Sequence, residues 1–173
     1  YSTDEGDDKT YSETNPTFVD AGSYTVYYKI EKDNYTTVTG SKSVAIAPKE
    51  LTITAADQTI TYGDSIDKTK YSITGLVDGD SINAVTLTPS TSDATDNGTI
   101  AVSIDKIVNA SGDDVTTNYD VTLTDGKLVI GKREIGVTAS EQSIAWGNDI
   151  SQTAYTITGE GLADGDYISL TLN

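Results

Sequence analysis

Tyr62-Gly-Asp-Ser-Ile-Asp-Lys-Thr-Lys-Tyr-Ser-Ile-Thr-Gly-Leu-Val-Asp-Gly-Asp80 is the stretch whose reading decides the fold, because the chain contains it twice. It returns as Trp146-Gly-Asn-Asp-Ile-Ser-Gln-Thr-Ala-Tyr-Thr-Ile-Thr-Gly-Glu-Gly-Leu-Ala-Asp-Gly-Asp166. The match extends back to Glu50 and Glu134 at a constant offset of 84 residues. From Glu50 to Gly75 the copies agree at 12 of 26 positions without a gap, after which Glu160-Gly161 is a two-residue insertion. Self-similarity at a fixed period is the signature of tandem structural units. What repeats is Gly, Thr, Ile, Tyr and Asp, a scaffold vocabulary with no cluster of reactive groups.

The composition narrows the function classes further. The chain of 173 residues has no Cys, no Met and no His, but 11 Tyr. Without Cys there is no disulfide frame, thiolate metal site or sulfur nucleophile. Without His the commonest general base and metal ligand is missing, so an enzyme is disfavoured. A formal charge of −16 repels phosphate backbones and anionic lipid surfaces, disfavouring nucleic acid and membrane as partners. No apolar run approaches the length of a membrane span, and no stretch of the sequence reads as a signal peptide. The sequence, with no initiator Met, reads as a segment of something longer.

Strand periodicity dominates. Tyr24, Val26, Tyr28 and Ile30 alternate with Ser23, Thr25, Tyr27 and Lys29, the period-two pattern of a half-buried strand. Further strands are predicted at 44–46, 51–55, 59–61, 70–74, 85–88, 99–105, 117–124 and 127–130. Turn chemistry separates them at Asp4-Glu5-Gly6-Asp7-Asp8, Asn15-Pro16, Asp33-Asn34, Tyr62-Gly63-Asp64, Asp78-Gly79-Asp80, Asn97-Gly98, Ser111-Gly112-Asp113 and Asp125-Gly126. No window shows helical spacing over three turns; one turn of helix at Ser81-Ile82-Asn83 is the single place for one. The fold class is therefore all-β, built of tandem small β-sandwich-like repeats. The alternative is a β-grasp-like unit using that short helix.

The offset also divides the chain. Asn34-Tyr35 aligns with Asn118-Tyr119, Val44 and Ile46 with Leu128 and Ile130, and Lys49-Glu50 with Arg133-Glu134. Residues 1–48 then read as the C-terminal part of one β repeat, 49–131 as a complete repeat, and 132–173 as the N-terminal half of another. The junctions at Pro48-Lys49-Glu50 and Gly131-Lys132-Arg133-Glu134 are short, which leaves neighbouring units little freedom to swing.

Glu50-Leu-Thr-Ile-Thr-Ala, Tyr62-Gly63-Asp64, Tyr71-Ser-Ile-Thr-Gly75-Leu, Asp78-Gly-Asp80, Asn118-Tyr119 and Asp125-Gly-Lys-Leu-Val-Ile130 resemble the MBG repeat, YGX type, of bacterial surface adhesins. Asp20-Ala-Gly-Ser-Tyr-Thr-Val26 with Asn34-Tyr35 resembles the Ig-like repeats that alternate with it. The second copy departs from the name-giving motif, with Trp146 in place of Tyr, a change that an aromatic packing site accepts. The resemblance implies an extracellular protein on the cell surface or cell wall of a bacterium, and adhesion only at the level of the whole parent protein.

Few residues carry candidate chemistry. Asp78 and Asp80, and Asp164 and Asp166, bracket a Gly and read first as turns; the secondary reading is a calcium site, though the spacing supplies only a fragment of the 6–8 oxygen ligands calcium takes. Glycosidase carboxylates need a cleft that nothing specifies. Tyr62/Trp146, Tyr71/Tyr155 and Tyr119 recur at structural positions and are expected to pack, with sugar stacking as the rival. Tyr24, Tyr27 and Tyr28 fall on both faces of one strand, so at least one is expected to be exposed. An isopeptide crosslink through Lys127 is disfavoured by its place next to a turn. The glycosylation sequons at Asn34, Asn97 and Asn109 are incidental in a bacterial protein.

The expected function is a non-catalytic stalk or spacer whose partners are neighbouring repeats of the same polypeptide. The rival is a module that grips a glycan or host surface protein through exposed Tyr side chains. The inward set of the complete repeat is expected to be Leu51, Ile53, Ile60, Ile73, Leu76, Ile100, Val102, Val121, Leu123, Leu128 and Ile130. The two flanking half units are expected to leave strand edges and apolar faces open, which pairing between two molecules would cover.

Overall fold

In the computed structural model, residues 1–3 and 11–169 are described. The turn expected at Asp4 to Asp8 lies outside them. Among the described residues thirteen strands and one 3-10 turn follow in order: β1 (Gly22–Ile30), β2 (Val38–Ile46), β3 (Lys49–Ala55), β4 (Gln58–Thr61), β5 (Tyr71–Thr74), β6 (Ser81–Ile82) and β7 (Val85–Pro89). Then come β8 (Thr95–Ile104), β9 (Ile107–Val108), the 3-10 turn (Thr116–Asn118), β10 (Tyr119–Thr124), β11 (Gly126–Gly131), β12 (Ile135–Ala139) and β13 (Tyr155–Gly159). The protein is all-β, made of several small sheets, as β-sandwich-like repeats are.

Two compact units interleave along the chain. The first comprises residues 1–53, 73–85 and 103–123. It holds the antiparallel β1–β2 ribbon, in register from Gly22↔Ile46 to Ile30↔Val38, with Ser2 bridged to Tyr27 on the far edge of β1. It also holds the short β6–β9 pair, and it buries Leu51, Ile53, Ile107 and Tyr119. The second comprises residues 54–72, 86–102 and 124–173. Its main sheet has the order β4-β11-β8-β7, in which β11 runs parallel to β4 and antiparallel to β8. There Ala55, Ile66, Leu87, Ile100, Val102, Leu128 and Ile130 are buried. A further sheet has the order β10-β3-β5, with β3 in the centre.

The sequence repeat reappears as a repeat of individual hydrogen bonds. Gln58 is buried and clamps a loop: its Nε2 donates to the Asp67 carbonyl at 3.0 Å, and the Asp67 N–H donates to its Oε1 at 2.8 Å. Eighty-four residues on, Gln142 does the same to Ser151, at 3.1 and 2.6 Å. A buried amide with both its groups satisfied specifies one loop conformation at little cost. The turns match as well, Asp64 N–H to Thr61 carbonyl and Asn148 N–H to Ala145 carbonyl. Gly75 and Gly159 both have positive φ, 102° and 81°, and a Cβ on either would run into a backbone carbonyl, Glu50 or Glu134. Only glycine meets both conditions. The β12–β13 pair is the second edition of β3 beside β5, but residues 142–145, the counterparts of β4, are not a strand. Among the described residues no strand pairs with them as β11 pairs with β4.

Several expectations are corrected. Residues 81–83 form no helix; β6 occupies Ser81–Ile82 and pairs with β9, which removes the β-grasp alternative. Asn97-Gly98 is not a hairpin turn but lies inside β8, where the pairing register with β11 shifts. A Cβ on Gly98 would sit 3.1 Å from the Leu128 carbonyl oxygen and 3.2 Å from the Leu128 Cβ, so this Gly permits close approach at a bulge. Gly126 likewise serves close approach, since a Cβ there would meet the Ala56 carbonyl oxygen at 2.6 Å. In the inward set Ile73 and Leu123 are 37% and 42% exposed. Both belong to β5 or β10, the edge strands of a three-stranded sheet. Period-two alternation identifies a face but not whether anything covers it, and here only the central strand β3 is sealed, with Leu51 and Ile53 at 0%. Ala55, Ile66, Leu87, Ile107 and Tyr119 complete the buried set.

The contrast gives a direct test. Ile53→Ala is expected to cost about 2–5 kcal/mol, as buried Ile truncations do. Ile73→Ala, on a partly open edge strand, is expected to cost less than about 1.5 kcal/mol. Urea melts of the two variants check this, and equal midpoints would contradict it.

Candidate functional site

The expected site residues are used locally. Gly79 turns the Asp78-Gly79-Asp80 loop with φ 91°, and the Asp80 carboxylate accepts the Tyr119 hydroxyl at 2.6 Å. The Val77 N–H donates to the same hydroxyl oxygen at 3.0 Å. Tyr119 is only 6% exposed, so its ring is packed while its polar end ties the loop down, the usual use of a buried Tyr. Asp164 and Asp166 flank Gly165, with φ 84°, and Asp166 accepts the Tyr62 hydroxyl at 3.3 Å. Among the described residues no three acidic, His or Cys side chains come together as a metal-binding group. Lys127 is exposed, Asn97 sits in β8, Asn34 is exposed with φ 69°, and the Asn109 side chain accepts from the Ser111 and Asp113 N–H groups.

The aromatic expectations divide. Tyr119 packs as expected, but Trp146 is fully exposed and Tyr71 lies on the open edge strand β5. The difference between Tyr62 and Trp146 is one of neighbours: Tyr62 reaches Asp166, and no such loop faces Trp146 among the described residues. Tyr24, Tyr27 and Tyr28 are all half-buried, against the expectation that one is exposed. Phe18 stacks on Tyr24 at 4.2 Å, Tyr27 pairs with Ser2, and Tyr28 lies over Gly40, where β2 leaves room for a ring.

What the sequence reading missed is Arg133, the one arginine of the chain. Its Nη1 donates to the Tyr62 carbonyl at 3.1 Å, its Nε to the Gly161 carbonyl at 3.0 Å, and its Nη2 to the Glu160 carbonyl at 2.9 Å. Asp64 Oδ1 stands 3.8 Å from Nη1. One planar guanidinium thus joins the Tyr62-Gly63-Asp64 turn of the complete repeat to the Glu160-Gly161 loop of the next. The receiving loop is the two-residue insertion, the very point at which the second copy breaks the repeat. Lysine, a single rotatable ammonium, cannot present three coplanar donors in this way. A groove of about 400 Å³ opens beside it, lined by Tyr62, Asp93, Arg133, Ile135, Leu162 and Asp166. In it the Tyr62 hydroxyl is turned on Asp166 and the Arg133 guanidinium on backbone carbonyls.

The junction before the complete repeat is held by Asn118. Its Oδ1 accepts from the Ala21 N–H at 2.7 Å and its Nδ2 donates to Asp20 Oδ1 at 2.8 Å. Each junction therefore carries one polar side chain that bonds to the neighbouring segment.

A family model described as MBG domain (YGX type) matches residues 51–129. The matched residues fall inside the complete repeat, 49–131. The match spans less than half of the chain, and neither a curated protein nor a solved structure matches it. MBG domains are repeat modules of surface proteins and a structural domain type. No helix among the described residues is long and apolar enough to cross a membrane. Asn118-Tyr119, inside the matched residues, has two jobs, Asn118 holding the preceding segment and Tyr119 holding the Asp80 loop.

The Tyr119 bond sets a pH dependence. Burial, and then the Asp80 carboxylate, raise the Tyr119 pKa above its ordinary value of 10.0. A group that folds with a raised pKa favours the protonated form in the native state. Its contribution is therefore complete below pH 10 and is lost as pH rises through the folded value. Tyr119→Phe is expected to cost about 1–3 kcal/mol at neutral pH, by removing a bond to a charged acceptor. The gap between variant and native chain should narrow above pH 10. A gap that stays constant in melts from pH 7 to 11 would contradict this use of the hydroxyl.

Proposed function

We propose that the chain is a non-catalytic repeat segment of a secreted bacterial cell-surface protein and acts as a stalk or spacer in an adhesin. The observation that carries the reading is Arg133, whose three donors run to carbonyls on both sides of a repeat junction. A spacer transmits position only if its junctions resist swinging, and a short linker with a polar clasp supplies that resistance. Its partners are the neighbouring repeats of the same polypeptide. The charge of −16 keeps densely displayed copies apart. No cofactor enters the proposal, since Asp80 and Asp166 serve as acceptors for tyrosine hydroxyls.

A second reading, a module that binds a glycan or a host surface protein, draws on the exposed Tyr35, Trp146 and Tyr167. Arrays of bacterial and host glycans and of extracellular-matrix proteins, probed with the full chain, separate the two. The spacer reading expects no binding above background. Saturable binding that disappears on Trp146→Ala or Tyr35→Ala would replace it with the second.

A further inference from the structure

A pull along the chain enters the complete repeat at β3 and leaves it at the end of β11, so the pairing inside the repeat decides how tension is met. β3 ends at Ala55 and β4 begins at Gln58, so the incoming chain reaches β4 at its first residue. β4 runs parallel to β11, with Leu128↔Gln58, Val129↔Thr59, Ile130↔Ile60 and Gly131↔Thr61 in register. The chain thus enters this ladder beside Leu128 and leaves it at Gly131, beside Thr61. Entry and exit lie at opposite ends. A pull applied there slides one strand along the other and strains all the ladder bonds together. With both points of attachment at one end, the same bonds would open singly, each under the whole pull. β4 is an edge strand, and among the described residues β11 is its one partner in the sheet.

Each end of the ladder is closed by a further bond. Before the first pair, Asp57 Oδ1 accepts the Lys127 N–H at 2.7 Å; after the last, the Tyr62 N–H donates to the Gly131 carbonyl at 2.8 Å. Gln58, where β4 is entered, is held sideways by the two bonds of its amide to Asp67. Gln58, Leu128 and Ile130 are buried, so water does not at once replace a bond that yields, and a buried group left unpaired is costly. We propose that the β4–β11 ladder is a mechanical clamp, which gives the complete repeat a further function, resistance to tension along the chain. The proposal rests on the spacer reading only for the source of the pull. The resistance itself is a property of the fold.

The absence of cysteine lets thiol handles be placed on the full chain at chosen points. Lys49→Cys/Lys132→Cys takes the pull in the direction of the chain, whereas Ser65→Cys/Lys132→Cys takes it at the Thr61–Gly131 end alone; all three residues are exposed. Forced unfolding follows the barrier that the pull meets, so in single-molecule stretching at one loading rate the first pair is expected to yield at least about twofold higher in force than the second. Asp57→Ala removes the bond at the far end of the ladder. It is expected to lower the yield force of the first pair and to leave that of the second unchanged. Equal forces for the two pairs overturn the proposal. So does an Asp57→Ala loss of the same size in both directions, which would mean that the contact stabilises the repeat as a whole. Binding to a glycan or matrix protein would replace the spacer reading without changing either force, so the two readings fail separately.

Discussion

A guanidinium carries five N–H donors in one plane and does not shed its charge at any ordinary pH, so wherever it is placed its acceptors must be kept in place around it. Arg133 imposes this condition on the junction after the complete repeat. Its three carbonyl acceptors belong to Tyr62, Glu160 and Gly161, and its bonds hold only if the Tyr62-Gly63-Asp64 turn and the inserted loop face each other. The arrangement around it follows. Tyr62 donates its hydroxyl to Asp166, and its N–H bonds to the Gly131 carbonyl. The Asp166 carboxylate beside it raises the Tyr62 pKa, which keeps that hydroxyl protonated as a donor. The name-giving YGX turn is thus, in this chain, a docking element as well as a turn.

The same economy runs through the rest of the protein. Leu51 and Ile53 on β3 are sealed, while both edge strands of that sheet remain partly open. With modest apolar burial per repeat, loop conformations are specified by side-chain clamps: Gln58 on Asp67, Gln142 on Ser151, Asp67 on Thr69, Asp114 on Thr116. Bonds from Thr69 and Thr116 hold the Asp67 and Asp114 carboxyls below their ordinary pKa. Singly each such bond is weak where it is exposed to water, but together they define one geometry for loops that carry little hydrophobic weight.

Much of this architecture was legible in the residues. The offset of 84 pointed to the repeat, and alternation located β1, β3 and most of β8, but only the last three residues of β2. The Gln58/Gln142 identity stood in the alignment as an unexplained match; a retained Gln is a signal for a structural clamp. Other features were hidden for physical reasons. Asn97-Gly98 has the composition of a tight turn, but Gly98 is there to let Leu128 approach, and composition does not separate those uses. Ile73 alternates correctly on a strand whose face stays partly open. Trp146 and Tyr62 occupy one position in two copies, yet Trp146 is fully exposed and Tyr62 half-buried, because burial there depends on the following loop. Arg133 has Lys49 as its counterpart, so a repeat comparison passes over it. Its clue was the coincidence of a lone arginine with an insertion that interrupts the match.

The central claim is that Arg133 holds two successive repeats in one orientation. Residual dipolar couplings measured for the amides of β11, β12 and β13, in the native chain and in Arg133→Ala, test it most directly. The native chain is expected to fit a single alignment tensor across all three strands. The variant is expected to need one tensor for β11 and another for β12 and β13, with the internal pairing of each unchanged. A native chain that already requires two tensors, or a variant that still fits one, would contradict the account.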